Sequence, residues 1–519
     1  MRTTVQTGDT PIRQAGVSSR FFRSVILNYG GQLSILALTF LTMPYTVHHL
    51  GAELFGVVAL VQVTAGFAGI LNLGIGRALT KYVSDLYWKN DFKTINQLFQ
   101  TAWATSIIAG LAVLLGLIAP SEWIGRLFFQ GGPDVHVVVN FAIYIAAFGL
   151  FSSMLFEVIS ALPAALQRFG LCNAINVLVG IVRSVGPVVV LAGGYSIKAV
   201  LIVILASNIL GVATFALAAC RLIPGLSLLP RFSRPMFQKL FRFSLPLLLS
   251  AIFSLIIARL DRFILAYYMP LAAVTFFTLP YTISEKVQAG VANITSVVLP
   301  FTSELHSIGG AHKVHELYLQ STKTLTAVTL PFTVILLALP DPILRFWIGP
   351  EYADQGALVL ILLAIATFLN AVTGVATATS LGVGRAWTPA ALAFAASAVS
   401  LASNLILVPA YGINGAAFAF LLPMLLFGPL FVGIVTFTLN FSLWEIFHRG
   451  FLRPLICASA QFAILFIFRQ QVNSLVTLGI LCFVGLCSYV ALSLFLVMSK
   501  RERSALFRAM LSPSQSRRS

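Results

Sequence analysis

Charged residues in this chain stand in clusters separated by uninterrupted apolar runs, and the runs are as long as a bilayer is thick. A helix needs about 20 apolar residues to cross the hydrocarbon core. Fourteen stretches qualify, at 24–46, 54–76, 98–120, 136–160, 172–193, 198–220, 243–259, 272–302, 324–343, 357–380, 388–408, 413–438, 454–470 and 474–499. Only 9% of the 519 residues are charged and 58% are hydrophobic, so little is left to build a soluble domain. In hydrocarbon a chain must meet its own backbone hydrogen bonds. The expected fold class is therefore an all-α polytopic membrane protein with about fourteen transmembrane helices.

The net charge of +17 is a balance found in nucleic-acid binders, but its distribution points elsewhere. Of the 33 Lys and Arg residues, 25 fall in the two tails and one set of alternate loops, and six fall on the other side. Cytoplasmic loops are the basic ones in membrane proteins, so both termini are expected in the cytoplasm and nucleic acid is not an expected partner. The loop at 221–242 contributes most, with Arg221, Arg231, Arg234, Lys239 and Arg242 and no acid. The polar first 23 residues lead into a span-length apolar segment, which suits an uncleaved targeting signal. Arg77 to Gln97 reads as an amphipathic helix on the cytoplasmic surface, and the basic tail at 500–519 as a disordered segment suited to anionic lipid. Cys172, Cys220, Cys457, Cys482 and Cys487 sit in or beside spans without metal spacing and read as packing residues. His306, His312 and His315 read as a solvated loop cluster. No metal or cofactor is expected.

The chain also echoes itself. Arg126-Leu127-Phe128-Phe129 and Arg345-Phe346-Trp347-Ile348 each lead through a Gly- and Pro-containing turn into a span. Leu191, Tyr195, Ser196 and Ile197 are matched by Leu407, Tyr411, Gly412 and Ile413, a shift of 216 residues. Two pseudo-symmetric six-helix bundles follow from this, related by an axis along the membrane normal. The expected division is a tail at 1–23, a bundle at 24–221, a basic linker at 222–242, a second bundle at 243–438, two additional transmembrane helices at 439–499 and a tail at 500–519.

An ionisable side chain at a helix centre costs about 2.5–3.5 kcal/mol on insertion scales, so such residues normally face the bundle interior or water. In the fifth span Asn173, Asn176, Gly180, Arg183 and Pro187 are spaced to share a face. In the eighth, Thr282, Lys286, Gly290, Asn293 and Pro300 do, with Glu285 beside Lys286. Asn28, Gln32 and Thr39 align in the first span; Gln62, Gly66, Gly69, Asn72 and Gly76 align in the second. One reading is helix packing through small and amide residues. The other is an aqueous cavity whose cationic wall, Arg183 and Lys286, attracts an anionic head group, Arg through its planar fork and Lys as a point charge. On that reading Asn176, Asn293, Asn28 and Gln32 line the cargo path. Glu157 and Glu285 are the carboxylates inside spans, and so are either structural counter-ions or the groups that couple transport to a proton or Na⁺. Asp261, between Arg259 and Arg262, reads as a local ion pair.

Several stretches resemble the polysaccharide flippases of the multidrug/oligosaccharidyl-lipid/polysaccharide exporter superfamily. They are His49-Leu50-Gly51-Ala52-Glu53-Leu54-Phe55-Gly56, Leu71 to Leu79, Leu260-Asp261-Arg262-Phe263-Ile264-Leu265, Pro280-Tyr281-Thr282, Leu299-Pro300, Trp347 to Tyr352 and Pro409 to Ala417. The resemblance implies a bacterial inner-membrane flippase. It implies an oligosaccharide on undecaprenyl diphosphate as cargo, moved from the cytoplasmic to the periplasmic leaflet by alternating access. Implied partners are this lipid-linked oligosaccharide and membrane lipids, with a polysaccharide polymerase and glycosyltransferases as further candidates. It supplies no catalytic residue.

A multidrug extruder would share the architecture, but cationic drugs want acidic cavities. A membrane glycosyltransferase or polysaccharide polymerase would need a sizeable extramembrane catalytic segment, and the longest loop on the less basic side is only about 121–135. A non-enzyme is therefore expected. The charge bias makes a direct prediction: a reporter fused after Ser519 is active only if it works in the cytoplasm. Strong activity there of a periplasm-only reporter overturns the topology.

Overall fold

The computed structural model describes residues 12–128, 133–308, 310–385, 387–439 and 442–497, and within them the chain is helix and short turn throughout. It falls into two units that divide between Ile252 and Phe253. The first begins with α1 (Ile12–Thr64), bent at Gly51. A 3₁₀ turn (Ala65–Phe67) leads to α2 (Ala68–Leu71) and, after a break, to α3 (Ile75–Tyr87). There follow α4 (Phe92–Ile118), α5 (Ser121–Phe128), α6 (Pro133–Ala165), α7 (Phe169–Ala192), α8 (Ile197–Leu222) and α9 (Arg234–Tyr268), within which the units divide. The second unit continues with α10 (Leu271–Ser307), α11 (Ala311–Ala338), α12 (Pro340–Trp347), α13 (Pro350–Gly382) and α14 (Trp387–Thr438). Beyond α14 lie α15 (Leu443–Ile446), a π-helical turn (Phe447–Leu452), α16 (Arg453–Phe468) and α17 (Leu475–Leu496).

Each expected span overlaps one or more of these helices, the one at 324–343 running past the end of α11 at Ala338 into α12. Ten helices among the described residues are long and apolar enough to cross a membrane; Trp387–Thr438 carries two expected spans on either side of a bend, and Ser34–Leu71 carries parts of two. At the bend in α14, Gly412 has φ 57° and ψ −131°, and a Cβ there would meet Met269 Cε at 2.9 Å, so both conformation and space call for glycine. The spans expected at 243–259 and 272–302 fall within α9 and α10, helices of 35 and 37 residues.

Two sequence expectations need correction. The second span does not run unbroken to residue 76, because the helix is interrupted between α2 and α3. Nor is 77–97 one surface helix: α3 ends at Tyr87, Asn90 takes a left-handed conformation (φ 54°), and α4 starts at Phe92. Asn and Asp compete with the helix for backbone groups and favour turns and caps. Asp91 accordingly caps α4, its carboxylate accepting from Thr94 N at 3.1 Å. The Thr94 hydrogen bonds hold that carboxyl below the usual carboxylate range.

The internal echo has a structural form. The short helices α5 and α12 each carry an acid in the first turn and an arginine in the last, Glu122 with Arg126 (3.9 Å) and Asp341 with Arg345 (2.9 Å). Each precedes a long helix that starts at a proline, Pro133 or Pro350. A shift of 216 residues carries the bounds of α8, Ile197–Leu222, onto 413–438, the part of α14 beyond its bend.

The core of the first unit gathers Ile75, Leu79 and Val83 of α3, Leu98 and Phe99 of α4, Ile159 and Leu162 of α6, and Phe215 of α8. In the second, α11, α13, α16 and α17 share a core that includes Leu336, Leu360, Leu465 and Tyr489. His315 of α11, expected in solvent, instead places Nε2 3.4 Å from Glu445 of α15, and Arg449 bridges Glu445 (3.0 Å) and Glu316 (3.8 Å). Burial against α15 draws the ring out of water.

Helices without large side chains at a contact approach closely. A Cβ on Gly180 would lie 2.9 Å from Ile35 Cδ1, and one on Gly31 2.6 Å from Asn173 Nδ2, so α1 and α7 meet glycine-first from both sides. Overpacking typically costs about 1–3 kcal/mol. Gly180→Leu is expected to lower the melting temperature of the purified protein in detergent. Gly149→Ala, where the added Cβ meets nothing within 4 Å, should not. Equal melting temperatures for the two variants would contradict this packing.

Candidate functional site

The break in the second span is built from residues that hold helices poorly. Gly74 lies within it and Gly66, Gly69 and Gly76 flank it, and glycine costs about 1 kcal/mol relative to alanine in a helix interior. Leu73 and Gly74 both take positive φ, 55° and 65°. The backbone groups freed there need other partners. Ser244 Oγ donates to Gly74 O at 3.1 Å. Asn72 is buried; its Nδ2 donates to Met154 O at 3.2 Å and its Oδ1 accepts from Ser106 Oγ. Four elements therefore meet at the break: α3, α4, α6 and the start of α9.

Glu157 projects from α6 into this junction. A Cβ on Gly76 would lie 3.0 Å from Glu157 Cγ, and one on Gly69 3.6 Å from Oε1. The glycines aligned in the second span are thus the surface on which a carboxylate rests. Oε2 is buried with no hydrogen-bond partner. The hydroxyls of Ser153 and Ser160, one turn to either side of Glu157, bond back to backbone, to Gly149 O and Glu157 O.

The face expected in α7 splits. Asn173 and Gly180 turn to α1, and Ser184 Oγ lies 3.1 Å from Thr39 Oγ1. Thr39 therefore belongs to helix packing. Arg183 is half-buried and Asn176 exposed. In the second unit, Glu285 and Lys286 are both exposed on α10. The side chains of Asn28, Gln32 and Asn293 lie outside the described residues.

Sequence reasoning treated Asp261 as a local ion pair but missed its setting. Asp261 and Arg262 are both buried, 3.6 Å apart, and Asp261 Oδ1 accepts from Arg262 N at 2.8 Å. The Arg262 guanidinium sits 4.0 Å from the centroid of the Tyr281 ring and 5.7 Å from that of Phe277, and Tyr281 packs edge-on to Phe420. The signal was present in Pro280-Tyr281-Thr282, but nothing local ties that stretch to Arg262 twenty residues earlier.

A family model described as "Polysaccharide biosynthesis protein" matches residues 50–357. A Shigella flexneri protein provisionally named an O-antigen transporter is 21% identical over 385 residues, which is 74% of this chain and 90% of that protein. Among solved structures, the lipid II flippase MurJ in an inward closed conformation superposes with a TM-score of 0.72 at 15% identity, covering 94% of this chain and all of the other. An inward-facing multidrug transporter of the MATE family gives 0.64 at 14% identity, over 78% and 94%. These likenesses establish the fold.

Asn72 closes the break from two sides, so removing its amide leaves Ser106 Oγ and Met154 O without it. Leaving buried polar groups unmatched costs about 1–3 kcal/mol. Asn72→Ala should lower the melting temperature in detergent, with Ser106→Ala lowering it less, because the first removes both long-range bonds of the amide while the second leaves Asn72 Nδ2 on Met154 O. A larger loss for Ser106→Ala would contradict the central place given to Asn72.

Proposed function

Since the chain belongs to the polysaccharide biosynthesis protein family matched over residues 50–357, we propose that this multi-pass transporter flips undecaprenyl-diphosphate-linked oligosaccharide from the cytoplasmic to the periplasmic leaflet by alternating access. The observation that carries the reading is Arg183, a guanidinium half-buried within a helix apolar enough to span the membrane. Charged residues inside spans normally mark a substrate or ion path, and the planar fork of an arginine suits a phosphate. Asn176, exposed two turns earlier, offers an amide to the same cargo. Lys286 on α10 is proposed as a second basic contact, with Asn293, Asn28 and Gln32 as lesser polar contacts. Relatives are named as transporters or flippases, which supports a non-enzymatic role. A polysaccharide polymerase and glycosyltransferases are the proposed functional neighbours, and both termini are assigned to the cytoplasm of a bacterial inner membrane.

Uphill flipping needs a second ligand, because a species with equal affinity for two states shifts neither. Of the carboxylates proposed for coupling, Glu157 has a buried oxygen without a partner and Glu285 is exposed, so Glu157 is the one assigned to bind the proton or Na⁺.

The test is flipping of a matched lipid-linked oligosaccharide in proteoliposomes under an imposed pH or Na⁺ gradient. Arg183→Glu should abolish flipping at normal protein level and Arg183→Lys should retain part of it. Glu157→Gln should remove the gradient dependence. Normal flipping by Arg183→Glu takes that residue out of the cargo path; an unchanged gradient response in Glu157→Gln removes the coupling role.

A further inference from the structure

The first unit carries a second concentration of positive charge, well away from Arg183 in sequence and built on aromatic rings. On α3 the buried face is Ile75, Ala78, Leu79 and Val83, which leaves Arg77, Lys81 and Asp85 on the exposed side at four-residue spacing. The first turns of α9 bury Leu240 and Ser244 and expose Lys239 and Arg242. Between the two helices stand Tyr82 and Phe243, edge to face with centroids 5.9 Å apart. Lys81 Nζ lies 4.3 Å from the Phe243 centroid and 5.4 Å from that of Tyr82. Lys239 Nζ, from the other helix, lies 4.7 Å from the Tyr82 centroid.

Two ammonium groups on different helices thus share one ring, which keeps them within about 10 Å of each other. Each gains from the ring's electron-rich face, but they repel one another, and neither forms an ion pair among the described residues. The nearby acids offset them only in part: Asp91, whose charge acts on Lys239, is held at the cap of α4, and Asp85 forms no ion pair among the described residues. An arrangement of this kind is completed by an anion that bridges the two cations.

The position indicates which anion. The α4 span begins at Phe92 and the α8 span ends at Leu222, so this is an end of the membrane-crossing segment. The loop after α8 is tied to it by Ser227 N donating to Asn96 Oδ1 at 3.0 Å. Trp88, Leu229 and Phe232 are exposed among the bases. Apolar and aromatic side chains mixed with lysines favour the boundary between headgroups and acyl chains over free water. We propose that Lys81 and Lys239 bind the phosphate of an anionic phospholipid in the leaflet facing the basic loops, and that this lipid joins α3 to the start of α9. The inference concerns a resident lipid and does not depend on the identity of the cargo.

The test measures binding of phosphatidylglycerol against phosphatidylcholine to the full-length protein in detergent, by native mass spectrometry and by thermal shift. A basic residue near an anionic surface is worth roughly fivefold in affinity. Lys81→Gln/Lys239→Gln should therefore lose roughly twentyfold in phosphatidylglycerol affinity, while Lys81→Arg/Lys239→Arg keeps most of it. Lys89→Gln/Lys93→Gln removes the same charge without touching the shared ring and should lose clearly less. An equal loss in that pair means diffuse attraction and overturns the site. Inorganic diphosphate should not displace the lipid; displacement by it, or by lipid-linked oligosaccharide at matched concentration, overturns the assignment to a resident phospholipid. If the double variant fails to purify, each single variant should still lose about fivefold, and no loss in either rejects the proposal.

Discussion

The structure rests on the refusal of hydrocarbon to solvate a peptide group. A lipid-facing segment that leaves backbone donors or acceptors open is penalised by several kcal/mol for each, so helix is the default and every departure from it needs a substitute partner. The departures in this chain are few enough to inspect individually. Gly51 and Gly412 bend their helices between spans. The turn at Asn72–Gly74 is different in kind, because side chains from three other helices, Ser106, Ser244 and Glu157, converge on it. What would be a defect in an apolar helix becomes a polar junction.

That junction explains why two readings of the glycine stripe in the second span both hold. Small residues do serve packing there, since a carboxylate-bearing side chain lies directly on Gly69 and Gly76. The same packing creates a place where an ionisable group is held among polar neighbours. In α7 the balance falls the other way: Asn173, Gly180 and Ser184 lie in the contact with α1, while Arg183 is half-buried and Asn176 exposed.

The framework was readable because hydrophobic length is local information. A run of apolar residues between charges announces a span regardless of what lies elsewhere, and the bends at Gly51 and Gly412 fall in the polar gaps between runs. The short helices before α6 and α13 were visible only as a repeated arginine-aromatic pattern. The site was much less readable. Glu157 meets Gly69 and Gly76 across more than eighty residues, and Arg262 meets Tyr281 through a ring face that spacing along one helix does not reveal. His315 was misplaced because its loop position suggested solvent, whereas α15, more than a hundred residues later, supplies Glu445. Helical periodicity reports which residues share a face; it does not report what the face meets.

The two halves repeat their scaffold more faithfully than their chemistry. Helices α8 and the far part of α14 keep the same bounds 216 residues apart, and α5 and α12 keep the same pairing of acid and arginine. Yet the position in α13 that corresponds to Glu157 falls at Thr373 or Gly374, and the stretch of α10 that corresponds to Asn72–Gly74 stays helical. Redundancy therefore ends at the backbone. The packing helices of one half have counterparts in the other, but the carboxylate at the broken helix has none at the corresponding position.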